Sequence, residues 1–132
     1  MSTKRSIQLW LLLAFAWMVM KETAAQSFQY FKQQHVDYPK TPAPNNHIYC
    51  RNIMNDRYQT YIRENIYIHA SDTELEDICR PSGLPEDGEW QSITPLACTI
   101  CSGVDSGFFG ISGKLNIILY CKDGVPTDYS IT

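Results

Sequence analysis

A chain of 132 residues with 11 basic and 14 acidic side chains carries a net charge of −3, and 44% of it is hydrophobic. That length suits one domain, and that charge works against polyanions, because nucleic-acid affinity rests mainly on neutralising phosphates and anionic membranes attract basic patches. No run of like charges, internal repeat or Asn-x-Ser/Thr glycosylation acceptor occurs.

The first stretch reads as an address. Lys4 and Arg5 precede an apolar run from Ile7 to Met20, too short and wrongly flanked for a membrane span, and Thr23, Ala24 and Ala25 supply the small residues that signal peptidase needs. Cleavage after Ala25 predicts a signal peptide over residues 1–25, a secreted, extracellular product and one domain over residues 26–132. Without Lys4, Arg5, Lys21 and Glu22, that domain of 107 residues keeps 8 basic and 13 acidic side chains, a net −5. A domain this small buries only about two-thirds of its unfolded surface, so covalent staples are expected, and an oxidising compartment permits them. All five cysteines, Cys50, Cys79, Cys98, Cys101 and Cys121, lie within it. An odd count leaves a free thiol or an intermolecular bond, and spacing alone does not choose the partners.

Along the domain, Phe28, Phe31 and His35 fall at helical spacing, which puts the histidine on the face that docks on the core, and this helix stops near Pro39. PKTPAP, residues 39–44, is a stiff loop. Ile48, Tyr49, Ile53 and Met54 mark a second helix around Cys50. NIYIHA, residues 65–70, alternates like a strand. Ser71 opens an S-x-x-E capping box ending at Glu74, and Leu75, Ile78 and Cys79 form the apolar stripe of a third helix that ends at Pro81. PSGLPEDG, residues 81–88, is a turn-rich connection, after which 93–101 and 114–121 read as strands. SGVDSGFFGISG, residues 102–113, has the composition of a long hairpin loop with Phe108 and Phe109 at its tip. Helices first and antiparallel strands afterwards make an α+β domain.

These residues carry a family resemblance. FKQQH near residue 31, YC in the second helix, the strand IYIHAS, the IC closing the third helix, the TIC strand, and the LYC strand followed by VP stand in the order of the pancreatic-type ribonuclease (RNase A) superfamily. The chain looks most like its epididymis-secreted, ribonuclease-like members, which have fewer cysteines and a degraded active site. The resemblance implies an RNase A-like fold: three short helices in the N-terminal half packed on a bent antiparallel β-sheet and stapled by disulfides. It implies Cys50 paired with Cys101 and Cys79 with Cys121, each closing a long loop and worth about 4 kcal/mol in the chain-entropy model. Cys98 is then left unpaired. It is three residues from Cys101 on a strand, so the two side chains point to opposite faces and only one can reach Cys50. A buried small hydrophobe is the bland reading of Cys98, and a Cys98-linked dimer is the alternative.

Cleaving RNA through its own 2′-hydroxyl needs a base for that proton, an acid for the departing 5′-oxygen, and a cation against the charge building on phosphorus. By resemblance His35 matches the base, Gln34 the adjacent phosphate-contacting amide and Asn65 the residue that buttresses the pyrimidine site. Ile66 stands where a threonine reads the base. The catalytic lysine position falls on Ile62, with Arg63 an unsuitable neighbour facing the other way, and the second catalytic histidine is replaced by Asp128 in VPTD. A carboxyl of ordinary pKa is protonated to only about 0.1% at neutral pH and makes a poor general acid. His35, Gln34 and Asn65 are therefore expected to be vestigial. His69 at a strand end reads as structural and His47 as exposed near a helix start. The three histidines have no zinc spacing, so no metal or other cofactor is expected.

The predicted function is that of a secreted, non-catalytic ribonuclease-fold protein that binds an extracellular protein or glycan, with nucleic acid bound weakly or not at all. The resemblance alone places it in the male reproductive tract, in sperm maturation. The alternatives are a weak secreted endoribonuclease or nucleic-acid-binding protein using His35, and a host-defence protein, the latter disfavoured by acidity.

Overall fold

The computed structural model describes residues 2–83 and 88–132. Its elements run in order as helix α1 (Ser2–His35), helix α2 (Asn46–Asp56), strand β1 (Glu64–Ile68), helix α3 (Asp72–Cys79) and strands β2 (Glu89–Val104), β3 (Gly107–Lys122) and β4 (Val125–Ile131). The strands form one antiparallel sheet in the order β1-β2-β3-β4. The α+β, RNase A-like expectation holds.

The helices cover opposite faces of the long β2–β3 ribbon. Phe28 and Phe31 of α1 and Leu75 and Cys79 of α3 pack with Ile66, Ile68, Leu96, Cys98, Ile117 and Leu119. On the other face Tyr49, Cys50, Ile53 and Met54 of α2 pack with Tyr67 and Cys101. Period-two alternation along β2 sends Cys98 to the first core and Cys101 to the second. Cys50 is bonded to Cys101 and Cys79 to Cys121, so each disulfide ties a helix to a strand. Cys98 is a free, buried cysteine whose Sγ lies 3.3 Å from the Leu96 carbonyl oxygen. Burial pushes its thiol pKa up, with a Leu115 backbone bond pulling it partly back. Cys98 is 1% exposed, which agrees with the reading of it as a buried small hydrophobe.

Helix starts follow the polar residues that cap them. Ser71 accepts from the Glu74 amide at 3.1 Å, and Asn45 accepts from the Ile48 amide at 2.9 Å, so each side chain satisfies an N–H that has no partner within its helix. Three expectations change in the structure. First, α1 spans 34 residues because the short helix of the domain, residues 26–35, continues backward through the leader. The Leu- and Ala-rich leader has high helix propensity and prolongs it backward, with Ile7, Leu9, Trp10, Leu11, Leu12, Leu13 and Phe15 all more than half exposed. Among the described residues no helix is long and apolar enough to cross a membrane.

Second, 102–113 is no loop. Strands β2 and β3 pair through it from Ser102↔Phe109 to Val104↔Gly107, leaving only Asp105 and Ser106 as the turn. The glycines misled because one of them serves packing: a Cβ on Gly110 would lie 2.4 Å from the Asn46 carbonyl oxygen and 2.7 Å from Cys50 Sγ. Glycine inside a strand often marks such a close approach. Phe108 packs into the α2 core, while Phe109 is exposed beside the His47 ring, so the two do not form a joint tip. Third, VPTDYSI is a fourth strand, paired with β3 past a register shift at Tyr120/Cys121. Of the predicted 81–88 connection, residues 84–87 lie outside the described residues.

Candidate active-site cleft

His35 is the last residue of α1, held between the Phe31 ring (centroids 5.5 Å apart) and the Tyr129 ring of β4, which meets it edge-on at 4.6 Å. Its Nδ1 lies 3.0 Å from Asn65 Oδ1. The Asn65 amide nitrogen donates to the Gln34 carbonyl at 2.9 Å and to Gln59 Oε1 at 3.2 Å, which leaves Oδ1 as acceptor. The His35 proton therefore sits on Nδ1, and Nε2 keeps its lone pair. Burial lowers the ring's pKa below the ordinary 6.5, while the Asn65 bond and the charge of Asp128 raise it and Arg57 lowers it further. That direction favours the neutral ring, the state a proton acceptor needs.

Gln34 and Asn65 are brought beside His35, but both are absorbed into an internal network. Gln34 Oε1 accepts from Gln59 Nε2 at 2.9 Å, and Gln59 Oε1 accepts from Asn65 and from the Tyr67 hydroxyl. Gln59 is buried to 1% exposure and is the organising residue that sequence reasoning missed. In RYQTY it looks like any loop amide, and its burial follows from its backbone bonds to Met54 and Ile62.

The cations lie elsewhere. Arg57 donates to the Lys32 and Gln33 carbonyls at 3.1 and 3.0 Å and sits 3.7 Å from Asp37, so it closes the end of α1. Lys32 pairs with Asp72 at 2.9 Å. Ile62 is half-buried against the α2 core, and Arg63 is exposed, its carbonyl accepting from Gly103. Among the described residues no lysine or arginine is hydrogen-bonded to His35. Asp128 is exposed on β4 opposite Tyr120, with Oδ1 accepting from the Tyr129 amide at 2.8 Å. It acts on His35 through its charge without an ion pair.

At Ile66, where the resemblance expects a threonine, the sheet is apolar and the side chain is buried. Ile66, Ile100 and Ile111 form one cross-strand row. The Tyr129 phenol reaches the Ile66 backbone: burial raises its pKa, that backbone bond lowers it, and Asp128 and Glu64 raise it again. The Ile66 N–H itself donates to Asn65 Oδ1 at 3.0 Å, which adds it to the network around His35.

The other two histidines are structural by their contacts. His69 Nδ1 is 2.8 Å from the Asp37 carbonyl and Nε2 is 2.8 Å from Thr99 Oγ1, so both nitrogens are engaged. Exposed His47 accepts from the Gly110 amide at 3.0 Å.

The pancreatic ribonuclease family profile matches residues 26–107. A ribonuclease of Chelonia mydas is 31% identical over 112 residues, spanning 77% of this chain and 94% of the relative. One of Chelydra serpentina is 35% identical with the same coverage. The crystal structure of green turtle egg white ribonuclease aligns with TM-score 0.66 at 31% identity, over 79% of this chain and 96% of that one. Amphinase, a cytotoxic ribonuclease from Rana pipiens oocytes, shares the fold at 21% identity with TM-score 0.62, over 80% and 96% of the two chains. The chain belongs to the pancreatic ribonuclease family.

Proposed function

We propose that this member of the family is secreted after loss of residues 1–25, does not cleave RNA, and binds an extracellular protein or glycan. The observation that carries this reading is that, among the described residues, no lysine or arginine is hydrogen-bonded to His35. The reaction needs a cation and a proton donor there; Arg57, the cation whose charge reaches the ring, is hydrogen-bonded to the α1 carbonyls, and the other charges acting on the His35–Tyr129 pair are the carboxylates of Asp128 and Glu64. A positioned acid or base is worth about 10² to 10⁴ in rate, so a site with the base alone is short by several orders of magnitude. A net −5 over residues 26–132 adds long-range repulsion of RNA. The exposed apolar leader accords with its removal, and the reproductive tract as site of action rests on the resemblance to epididymis-secreted proteins alone.

Weak endoribonuclease activity is the second reading. It is favoured by the neutral, correctly protonated His35 beside Gln34 and Asn65, and by relatives named ribonucleases. Turnover of a fluorogenic RNA by wild type and His35→Ala separates the two. Equal residual rates support the non-catalytic reading, whereas a loss of about 10² or more in the variant establishes an enzyme.

A further inference from the structure

The face of the β2–β3 ribbon turned away from α2 continues past the cleft without any helix to cover it. Pleating puts Ile100, Ser102 and Val104 of β2 on this face with Ile111, Phe109 and Gly107 of β3, and the register pairs them directly. Val104 is 50% exposed, Ile111 54% and Phe109 46%, Phe109 leaning over the edge to the His47 ring. The rim is acidic: Glu64 lies in the same row as Ser102 and Phe109, and Asp105 forms the turn at the tip.

We propose that this face docks an apolar segment flanked by lysine or arginine, belonging to a basic partner protein; this rests on the partner-binding reading above. Three half-exposed side chains of this size offer roughly 300 Å², about the largest apolar patch of an ordinary monomer and well short of the roughly 800 Å² per partner of a stable interface. Apolar contact alone is therefore insufficient, and the rim must contribute. Carboxylates on that rim accept cations and reject anions, and the net −5 of residues 26–132 steers a basic partner while repelling a second copy of the same chain. Carboxylates at Glu64 and Asp105 likewise disfavour an RNA strand as the occupant.

The probe is a synthetic ten-residue peptide alternating leucine with arginine, compared with one alternating leucine with glutamate, in titrations against the secreted protein. The arginine peptide is expected to bind at least about tenfold more tightly, with affinity falling as salt rises. Val104→Ser with Ile111→Ser should weaken it about tenfold, and Glu64→Gln by a smaller factor. Ile93→Ser serves as the control, since Ile93 is 65% exposed on the opposite face of β2. Circular dichroism and intact mass establish that each variant folds with both disulfides. Equal binding of the two peptides, or equal loss in the Ile93 control, overturns the proposal. So does a concentration-dependent dimer abolished by the Val104/Ile111 pair. Fluorogenic RNA turnover on the same preparations tells the failures apart: His35-dependent cleavage with the peptide result intact refutes the non-catalytic reading only.

Discussion

Around His69 both imidazole nitrogens are hydrogen-bonded, whereas at His35 only Nδ1 is, and among the described residues no lysine or arginine is hydrogen-bonded to that ring. The Asp37 carboxylate beside His69 accepts from Thr41 twice, at 2.9 Å each, and from the Tyr49 hydroxyl at 2.6 Å, with Arg57 behind it. From His69 the network runs through Thr99 and Ser112 to Asn46 at the start of α2, with Lys40 at the solvent end. Its inner part, from Asp37 and Tyr49 to Thr99, is a buried and satisfied polar network, which orients its elements, and any inner member removed strands its neighbours. The His35 side has the same hydrogen-bonded order as far as Gln59 and then stops. The difference separates a network closed on itself from one that ends at an imidazole bonded through a single nitrogen.

The largest effects are expected where the closed side is fastened. Replacing Cys79 and Cys121 together by alanine should remove about 4 kcal/mol, because the disulfide closes a loop of 42 residues in the unfolded chain. Urea denaturation of the secreted material measures it, and a change under about 1 kcal/mol would mean that the strands hold α3 unaided. Gly110→Ala should cost about 1 to 3 kcal/mol, since the added methyl meets backbone and a disulfide sulfur instead of a flexible tip. A neutral result would show that α2 can lift off the ribbon, which would weaken the contrast between the two sides.

Acid should act next, and on both sides at once. Burial lowers the pKa of His35 and of His69 below 6.5, with the Asp37 carbonyl raising His69 partway back. A histidine whose folded pKa is depressed takes up its proton more readily unfolded, so its contribution is intact above about pH 6.5 and lost as pH falls from there toward the folded value. Asp37 follows a different window. Burial alone would raise its pKa, but bonds from Tyr49 and Thr41 and the charge of Arg57 leave it below 3.8, so its contribution persists above that value and vanishes on further acidification. Urea midpoints should therefore fall between pH 7.5 and 5.5 in wild type, and much less in a variant lacking both histidines. An unchanged slope in that variant would assign the acid sensitivity to other groups.

How much of this was legible depended on range. The Ser71 capping box, the apolar spacing of Tyr49, Ile53 and Met54, and the alternation in IYI are local patterns, and each marks an element that formed. The glycines of 102–113 are ambiguous locally, because a glycine that bends a loop and one that admits a helix look alike until Asn46 and Cys50 are in place. Gln59 was illegible for the same reason: its partners Gln34, Asn65 and Tyr67 converge only in three dimensions. At the site, matching motifs showed which residue types were missing, but only the structure showed that Arg57 is already committed to α1.

Restoring the missing groups is expected to achieve little. Asp128→His with Ile62→Lys returns an acid and a cation by residue type, yet the Ile62 side chain packs against the α2 core, and a lysine there must leave that contact before it can turn toward phosphate. Turnover of the double variant should therefore stay within about tenfold of wild type, an acceleration below the roughly 10² to 10⁴ of a working acid. A gain of 10³ or more would mean that the inherited geometry tolerates the swap and that only the side chains were lost.

The smallest expected effect bears most directly on Asp128. Its charge raises the His35 pKa from a position without an ion pair, so Asp128→Asn should move the imidazole titration downward, followed by the ring-proton shifts of His35 in NMR. The shift should be slight, since an exposed carboxylate acts through solvent, and it should shrink further with added salt. If Asp128 shared a proton with His35 as a working acid–base pair, the substitution would instead displace the titration strongly and leave a residue insensitive to salt. A slight, screened shift means that Asp128 has entered the cleft as a neighbouring charge, and that His35 retains a base's lone pair with no acid to complete the exchange.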